Sequence, residues 1–340
     1  MEYITIAIDA MGGDYGLAVT VPAALQAVAQ HPNLRLILVG DSIPLSHALT
    51  QHPPTDRIRI ETSTQVVAMD DPPSVALRAK RDSSMRVAIN LVKEGQAQAC
   101  VSAGNTGALM AIARFVLKMI PGVDRPAIIA TLPTVTTDKV VRILDLGANV
   151  ESSADHLFQF AVMGSLLSAA IDGIAEPRVA LLNIGAEEIK GNEQVKETAQ
   201  RLTDCPVINY VGYIEGDELF SGDADVIVCD GFVGNVALKT LEGTAKLFMH
   251  YTRLSFQKNI WMKIAGLFSR PAFNDIKYAM DPGRRNGASL LGLRGIVIKS
   301  HGSADVVAYT HAINQAIMQV RENVIMKIEK QAELLLTPNE

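Results

Sequence analysis

Ala97-Gln-Ala-Cys-Val-Ser102-Ala-Gly-Asn-Thr-Gly107-Ala-Leu-Met-Ala-Ile-Ala-Arg-Phe-Val-Leu-Lys-Met119 contains a strand, a loop and a helix in one unbroken stretch. Ala97–Ser102 is a small-aliphatic run of strand length, Ser102–Gly107 is rich in glycine and hydrogen-bonding side chains, and Thr106–Met119 has helical periodicity. The same order recurs along the chain. Strands are expected at Tyr3–Asp9, Leu34–Gly40, Ala97–Ser102, Ala127–Leu132, Val140–Leu146, Arg178–Ile184, Pro206–Val211, Ala224–Asp230 and Gly295–Lys299. Helices are expected at Leu17–Gln30, Met85–Gly95, Thr106–Met119, Ala154–Ala170, Glu193–Leu202, Asn235–Arg253 and Asp305–Lys330. Most strands are continuous Val/Ile/Leu/Ala runs, as when helices cover both faces of a sheet. The expected fold is α/β: a doubly wound, largely parallel sheet in an α/β/α sandwich. No repeat or Pro/Gly/Ser linker divides the chain, so residues 1–340 are expected to form one catalytic domain.

Composition narrows the function. Of 340 residues, 48% are hydrophobic, 20% charged and 5% aromatic, which is globular and rich in small aliphatics. A net charge of -5 argues against nucleic acid as a partner, since phosphate-backbone binding needs cations. Cys100, Cys205 and Cys229 lack metal or redox spacing and fit a reducing compartment. The start, Met-Glu-Tyr-Ile-Thr-Ile-Ala-Ile-Asp9, lacks the basic region of a secretory signal. The segment between His156 and Asp172 is interrupted by Gln159, Ser165 and Ser168 and is shorter than the ~20 apolar residues of a membrane span. A cytoplasmic location is expected.

In open α/β sheets ligands bind beyond the carboxyl ends of strands, where helix N-termini offer free N–H groups. Here those ends read Asp9-Ala-Met-Gly-Gly-Asp14, Ser102-Ala-Gly-Asn-Thr-Gly107, Gly147-Ala-Asn149, Gly185-Ala-Glu-Glu-Ile-Lys190-Gly-Asn-Glu193, Gly231-Phe-Val-Gly-Asn235 and Ser300-His-Gly-Ser-Ala-Asp305. Glycine admits a ligand close to the backbone, and Asn, Ser and Thr supply neutral donors, a composition suited to an oxyanion such as phosphate. Any one such loop is more often only a turn. Their number points to one extended crevice. Neither G-x-G-x-x-G after the first strand nor G-x-x-x-x-G-K-[ST] occurs. Asp9, Gly12, Gly13 and Asp14 would suit a sugar- or acetate-kinase type of ATP site, but that fold opens with a hairpin, and here a helix begins near Gly16.

Asp9-Ala-Met-Gly-Gly-Asp14, Ser102-Ala-Gly-Asn-Thr-Gly-Ala108, Asn183-Ile-Gly185 with Glu188-Ile-Lys-Gly-Asn192, Asp230-Gly-Phe-Val-Gly-Asn-Val-Ala-Leu-Lys239, and Gly287-Ala-Ser-Leu-Leu-Gly-Leu293 with Lys299-Ser-His-Gly302 run in order through the chain. Together they resemble the bacterial phosphate acyltransferase family of phospholipid synthesis, from about residue 5 to about residue 325. The resemblance implies a fold like phosphotransacetylase and the isocitrate/isopropylmalate dehydrogenases. It implies transfer of a fatty acyl group from acyl-acyl-carrier protein to inorganic phosphate, with no metal or organic cofactor. It further implies a homodimer loosely associated with the membrane, whose product passes to the membrane acyltransferase for glycerol 3-phosphate.

Attack by phosphate needs no strong general base, because a phosphate oxygen is already anionic at neutral pH. The site must orient phosphate beside the carbonyl and stabilise developing charge. Lys190 is the expected phosphate or transition-state cation; its plainer role is a solvated lysine before a helix. Asn235 is the expected donor to phosphate or carbonyl; its plainer role is a helix N-cap. His301 is placed to protonate the leaving thiolate, or is a buried structural histidine. Substrate contacts are expected from Asp9, Gly12, Gly13, Ser102, Gly104, Asn105, Thr106, Gly107, Asn149, Gly185, Asp230, Gly231, Gly234 and Lys239.

Gly243 to Asn274 holds no acid but carries Lys246, Arg253, Lys258, Lys263 and Arg270 among apolar residues, including the only tryptophan, Trp261. Residues 241–274 are expected to form a helical hairpin, broken near Gln257–Asn259 and stopped at Pro271. Three readings stay open: a dimer contact, a membrane contact through Trp261, Ile264, Leu267 and Phe268, and docking of the acidic carrier. A phosphotransacetylase acting on acyl-CoA is the nearest rival function. A dehydrogenase would need an acidic metal cluster, and a non-catalytic membrane scaffold would not need so many phosphate-suited strand ends.

Overall fold

The aliphatic runs form strands whose alternate side chains enter cores on opposite faces of one sheet. In the computed structural model, which describes residues 3–53, 55–136, 139–280 and 282–336, Ile6 and Ile8 of β1 (Ile4–Asp9) pack on one face and Ala7 on the other. Both faces being apolar, the strand reads as a continuous run. The chain continues through α1 (Leu17–Gln30), β2 (Leu34–Gly40), α2 (Ser42–Thr50), β3 (Ile58–Thr62), α3 (Pro73–Ala79), α4 (Ser84–Lys93), β4 (Ala99–Ser102) and α5 (Thr106–Leu117). Next come β5 (Ala127–Pro133), β6 (Val140–Leu144), α6 (Ala154–Asp172), β7 (Val179–Leu182), α7 (Glu193–Thr203), β8 (Tyr210–Ile214), β9 (Val226–Val228) and α8 (Gly231–Gln257). The last elements are α9 (Ile260–Phe268), α10 (Arg270–Met280), β10 (Ala288–Leu291), β11 (Ile296–Lys299), α11 (Val306–Arg321) and α12 (Val324–Leu336).

Among the described residues the strands form one sheet in the order β3-β2-β1-β4-β11-β10-β5-β6-β9-β7-β8. It is a mostly parallel α/β sheet with helices on both faces. β3, β2, β1, β4 and β11 are mutually parallel. So are β6, β9, β7 and β8. Between the two blocks lie three antiparallel pairings, β11 with β10, β10 with β5, and β5 with β6. An odd number of reversals makes the two blocks run in opposite directions. Their carboxyl ends therefore lie on opposite edges of the sheet, and the strand-end loops fall into two groups.

Local chemistry explains other differences. Val140–Leu146 was expected as strand, but β6 stops at Leu144, because the Asp145 carboxylate takes the N–H groups of Gly147, Ala148 and Asn149 and closes a turn. The helix expected over Asp305–Lys330 is broken between α11 and α12, where Asn323 adopts a left-handed φ of 50°. The strand expected at Pro206–Val211 lies instead at Tyr210–Ile214. Pro271 does not stop the hairpin; it falls in the first turn of α10, where its missing N–H costs nothing. Among the described residues α6 alone is long and apolar enough to cross a membrane, yet Leu157, Phe160, Ala161, Met163 and Leu167 on it are buried in the core between the second block and α12.

Candidate functional site

In the first block, the turns after β1, β4 and β11 are tied to one another. Ser102 donates its hydroxyl to Asp9 at 2.6 Å and accepts the Gly104 N–H at 3.0 Å. The Ser300 N–H reaches the Ser102 carbonyl at 2.9 Å, and the Asp14 N–H reaches Gly302 at 2.8 Å. Gly12 and Gly104 crowd the Asp9 carboxylate, so a Cβ at 12 would lie 2.6 Å from its Oδ2. Burial raises the Asp9 carboxyl above the usual range, opposed by the Ser102 and Ser84 hydroxyls, the Met11 backbone and the Lys299 charge. Gly13 has a φ of 87°, which turns the chain back toward Gly302.

Lys299 closes β11 inside this group and donates to the Ala103 and Ser300 carbonyls. Burial lowers its pKa to about 8, with Asp9 and Asp14 opposing and Lys239 reinforcing. Next to it, Asn286 holds the following turn, donating to Ser300 at 2.7 Å and accepting the His301 N–H at 2.9 Å. The Ser303 N–H donates to His301 Nδ1 at 3.2 Å, so the neutral ring carries its proton on Nε2. Desolvation lowers the pKa of His301, with Glu242 raising it and Lys239 and Lys299 lowering it further.

In the second block, the centre is Asp145, fully buried. Its Oδ1 accepts from Ile128, Gly147 and Ala148, and its Oδ2 accepts the backbone and side-chain N–H groups of Asn149 at 2.7 and 2.9 Å. Burial raises its pKa and these donors oppose the rise. α8 starts against this turn. A Cβ at Gly234 would fall 1.9 Å from the Asp145 carbonyl oxygen, and one at Gly231 would fall 2.2 Å from the Asn149 carbonyl oxygen. Only glycine lets the helix root so close.

The helix N-cap is Asp230, whose carboxylate accepts the Val233 N–H at 2.9 Å. Asn235 is thereby free of the capping role, and its exposed side chain, beside Gly147, makes no hydrogen bond among the described residues. One turn on, Lys239 pairs with Glu242 at 2.9 Å, and both lie within electrostatic reach of His301. So α8 starts at the second block, and its next turn brings Lys239 within electrostatic reach of Lys299 and His301 of the first.

Lys190 stands after β7, whose neighbour in the sheet is β9 at the root of α8. β7 and β9 are parallel, so the segments leading to Lys190 and to Asn235 leave the sheet at the same edge. Lys190 is exposed and makes no ion pair among the described residues; the cap of α7 is Asn192. Gly185 packs on the Lys190 side chain. Two expected substrate-binding amides are already committed. Asn105 caps α5 and donates to Met69 and Asp71, and Asn149 donates to Pro126 and Asp145. Thr106 and Gly107 form the first turn of α5, with Gly107 against Pro73. Trp261, Ile264, Leu267 and Phe268 lie on α9, away from both groups and exposed.

Asp145, Asn286 and the charge of Lys299 were not assigned roles from sequence. The available signal was a charged residue ending an apolar strand, as in Val-Val-Arg-Ile-Leu-Asp145 and Ile-Val-Ile-Lys299. Among the described residues no group of three or more His, Cys, Asp or Glu is arranged to hold a metal ion.

The chain is similar to known proteins along its length. Residues 4–327 match the family model described as "Fatty acid synthesis protein". A phosphate acyltransferase of Alkalilimnicola ehrlichii is 58% identical over 341 residues, covering 100% of this chain and 99% of that protein. A phosphate acyltransferase of Legionella pneumophila (strain Corby) is 58% identical over 333 residues, covering 97% of each. A phosphotransacetylase from Streptococcus pyogenes has the same fold, with a TM-score of 0.64 at 18% identity over 94% of each chain.

Proposed function

This chain belongs to the phosphate acyltransferase family, and from that premise we propose that it transfers a long-chain fatty acyl group from acyl-acyl-carrier protein to inorganic phosphate, giving acyl-phosphate for phospholipid synthesis. The observation that carries the reading is the pair Lys190 and Asn235, whose side-chain polar groups have no partner among the described residues, with Lys239, one turn beyond Asn235, in electrostatic reach of Lys299 and His301. Free neutral and cationic donors suit attack by an anion that arrives already ionised and needs no base to activate it.

In this mechanism a phosphate oxygen attacks the thioester carbonyl carbon, forming a C–O bond and an oxyanion. The Lys190 ammonium holds phosphate, and the Asn235 amide donates to the oxyanion. Collapse breaks the C–S bond, and the electron pair leaves with the carrier sulfur. His301, neutral because its pKa is lowered, presents Nε2–H to that sulfur as a hydrogen-bond donor. The Lys239 and Lys299 charges attract the anionic substrate into the cleft.

We extend the reading to partners. The acid-free stretch Gly243–Asn274, the outer part of α8 with α9 and the start of α10, suits an acidic carrier, a second copy of the chain and an anionic membrane surface. Trp261 at 76% and Phe268 at 79% exposure are unpartnered within the chain, which supports an external contact at its tip. The protein then acts as a cytoplasmic homodimer on the inner membrane face and hands acyl-phosphate to the membrane glycerol-3-phosphate acyltransferase.

The test is to incubate purified protein with long-chain acyl-carrier protein, with and without phosphate, and measure free carrier thiol and acyl-phosphate. Phosphate-dependent release is expected, falling about 100-fold or more in Lys190→Ala and in Asn235→Ala with unchanged thermal unfolding. Preference for acyl-CoA, or release independent of phosphate, overturns the reading.

A further inference from the structure

An open cleft of about 450 Å³ lies between α5 and the turn after β6, lined by Met110, Arg114, Arg125, Ala148, Asn149, Val150 and Glu151. None of its residues belongs to the proposed catalytic set, and the Asn149 amide, expected as a substrate contact, is committed to Pro126 and Asp145. Arg114 donates only a long contact to the Asp124 carbonyl, at 3.4 Å. Neither arginine forms an ion pair among the described residues, although Asp124 follows Val123 directly before Arg125; the Asp124 carboxylate takes Gln159 instead, at 2.7 Å. Two guanidiniums left without carboxylates, facing one concavity, are equipped to take an anion bidentately. The rim carboxylate of Glu151 leaves the lining with a net positive charge.

Position supplies the second argument. The same turn that lines the cleft through Ala148 and Asn149 begins at Gly147, which lies against Asn235. The other wall, α5, leads back from Arg114 through Met110 to Thr106 at the strand end of β4, a rise of about 12 Å at 1.5 Å per residue. The cleft is thus an extension of the reaction site along its donor side. Its size suits an elongated organic ligand rather than a bare phosphate ion. Met110, Ala148 and Val150 give it apolar walls for such a chain, and the arginines give it an anionic terminus.

We propose that this cleft binds the phosphopantetheine arm of the thioester donor, with Arg114 and Arg125 on its phosphate and the arm running over Ala148 toward Asn235. The assignment rests on the acyl-transfer reading above and adds to it the part of the donor that is recognised. Carrier protein and coenzyme A share this arm, so the cleft accepts the phosphate from either source, and discrimination between them belongs to other surfaces.

The experiment uses the full chain with four donors bearing the same acyl group: S-acyl-pantetheine, S-acyl-4′-phosphopantetheine, acyl-CoA and acyl-carrier protein. The wild type is expected to use the phosphorylated arm about tenfold or more better than the unphosphorylated one, in KM rather than kcat. Arg114→Gln and Arg125→Gln are expected to remove that preference while leaving S-acyl-pantetheine turnover unchanged, and Arg125→Lys to restore part of it. Loss of the preference against both carrier protein and coenzyme A assigns the arm itself; loss against carrier protein alone overturns it in favour of a protein-docking contact. Equal use of the first two donors by the wild type, or equal losses on both in the variants, also overturns the assignment. Absence of phosphate-dependent release from every donor overturns the acyl-transfer reading itself, and the cleft assignment with it.

Discussion

The two ends of α8 are built under opposite constraints. At its root, Gly231 and Gly234 are the buried residues of the helix, and added Cβ atoms there would collide with backbone carbonyls. Beyond Gly243 the same helix exposes Leu247, Phe248, Tyr251 and Leu254, and a Cβ at Gly243 would touch nothing within 4 Å. The outer arm is nonetheless ordered by its own contacts. Gly266 packs on the Phe256 ring, and Phe256 meets Phe273 edge-on at 5.0 Å. The root is therefore seated by close fit to Asp145, while the tip packs through Phe256, Gly266 and Phe273 within the arm and leaves an apolar face exposed.

The sharpest way to break this contrast is at the glycines. Gly234→Ala forces a Cβ against the Asp145 backbone carbonyl and is expected to cost about 3 kcal/mol or more, read as a large fall in the thermal midpoint. Gly243→Ala, on the same helix, is expected to stabilise by about 0.5–1 kcal/mol, because it removes glycine's unfolded-state entropy without a clash. Similar effects at the two positions would show that the root is not tightly seated. A smaller loss, about 2 kcal/mol, is expected for Asp145→Asn, which turns one acceptor oxygen of the buried carboxylate toward N–H groups as a donor. Chemical denaturation of that variant measures it.

How far the contrast could be read in advance depends on where the information lies. β1 and β4 are legible because their aliphatic runs are local and continuous, and the apolar, basic arm is legible because its lack of acids is a property of composition. The opposed direction of the two blocks is not legible. It is set by β10, four residues long, whose partners β11 and β5 are fixed by distant pairing and not by its own pattern. In the site, Asp9, Ser102 and Gly234 stand out as strand-end residues, but Asp145 is hidden at the end of an apolar run. Asn235 could equally have been a cap by residue type; only the position of Asp230 at the true helix start releases it. Lys299 carried no sequence sign of its lowered pKa, which comes from burial by elements far along the chain.

That lysine gives the next prediction. With a pKa lowered to about 8, Lys299 is charged below that pH and loses its charge as pH rises through it. The KM for phosphate is expected to rise severalfold between about pH 7.5 and pH 9, and Lys299→Arg, charged throughout, is expected to remove the rise. A flat profile in the wild type would show that Lys239 alone supplies the attracting charge.

The smallest effect is expected at the tip, and its smallness is the point. Trp261→Glu and Leu267→Glu alter exposed side chains that touch neither glycine-packed root nor strand-end cleft, so stability is expected to change by less than about 0.5 kcal/mol. Turnover with soluble donor is expected to be unchanged. Sedimentation with vesicles rich in anionic lipid is expected to fall sharply, because a carboxylate at the tip both removes apolar area and repels the surface. The same variants distinguish the alternatives. A shift to monomer in sedimentation velocity would make α9 a contact between two copies, and a raised KM for acyl-carrier protein with vesicle binding intact would make it the carrier's dock. Lipid binding at the tip with catalysis fixed at the root would let one helix tie the reaction to the membrane while its chemistry stays in water.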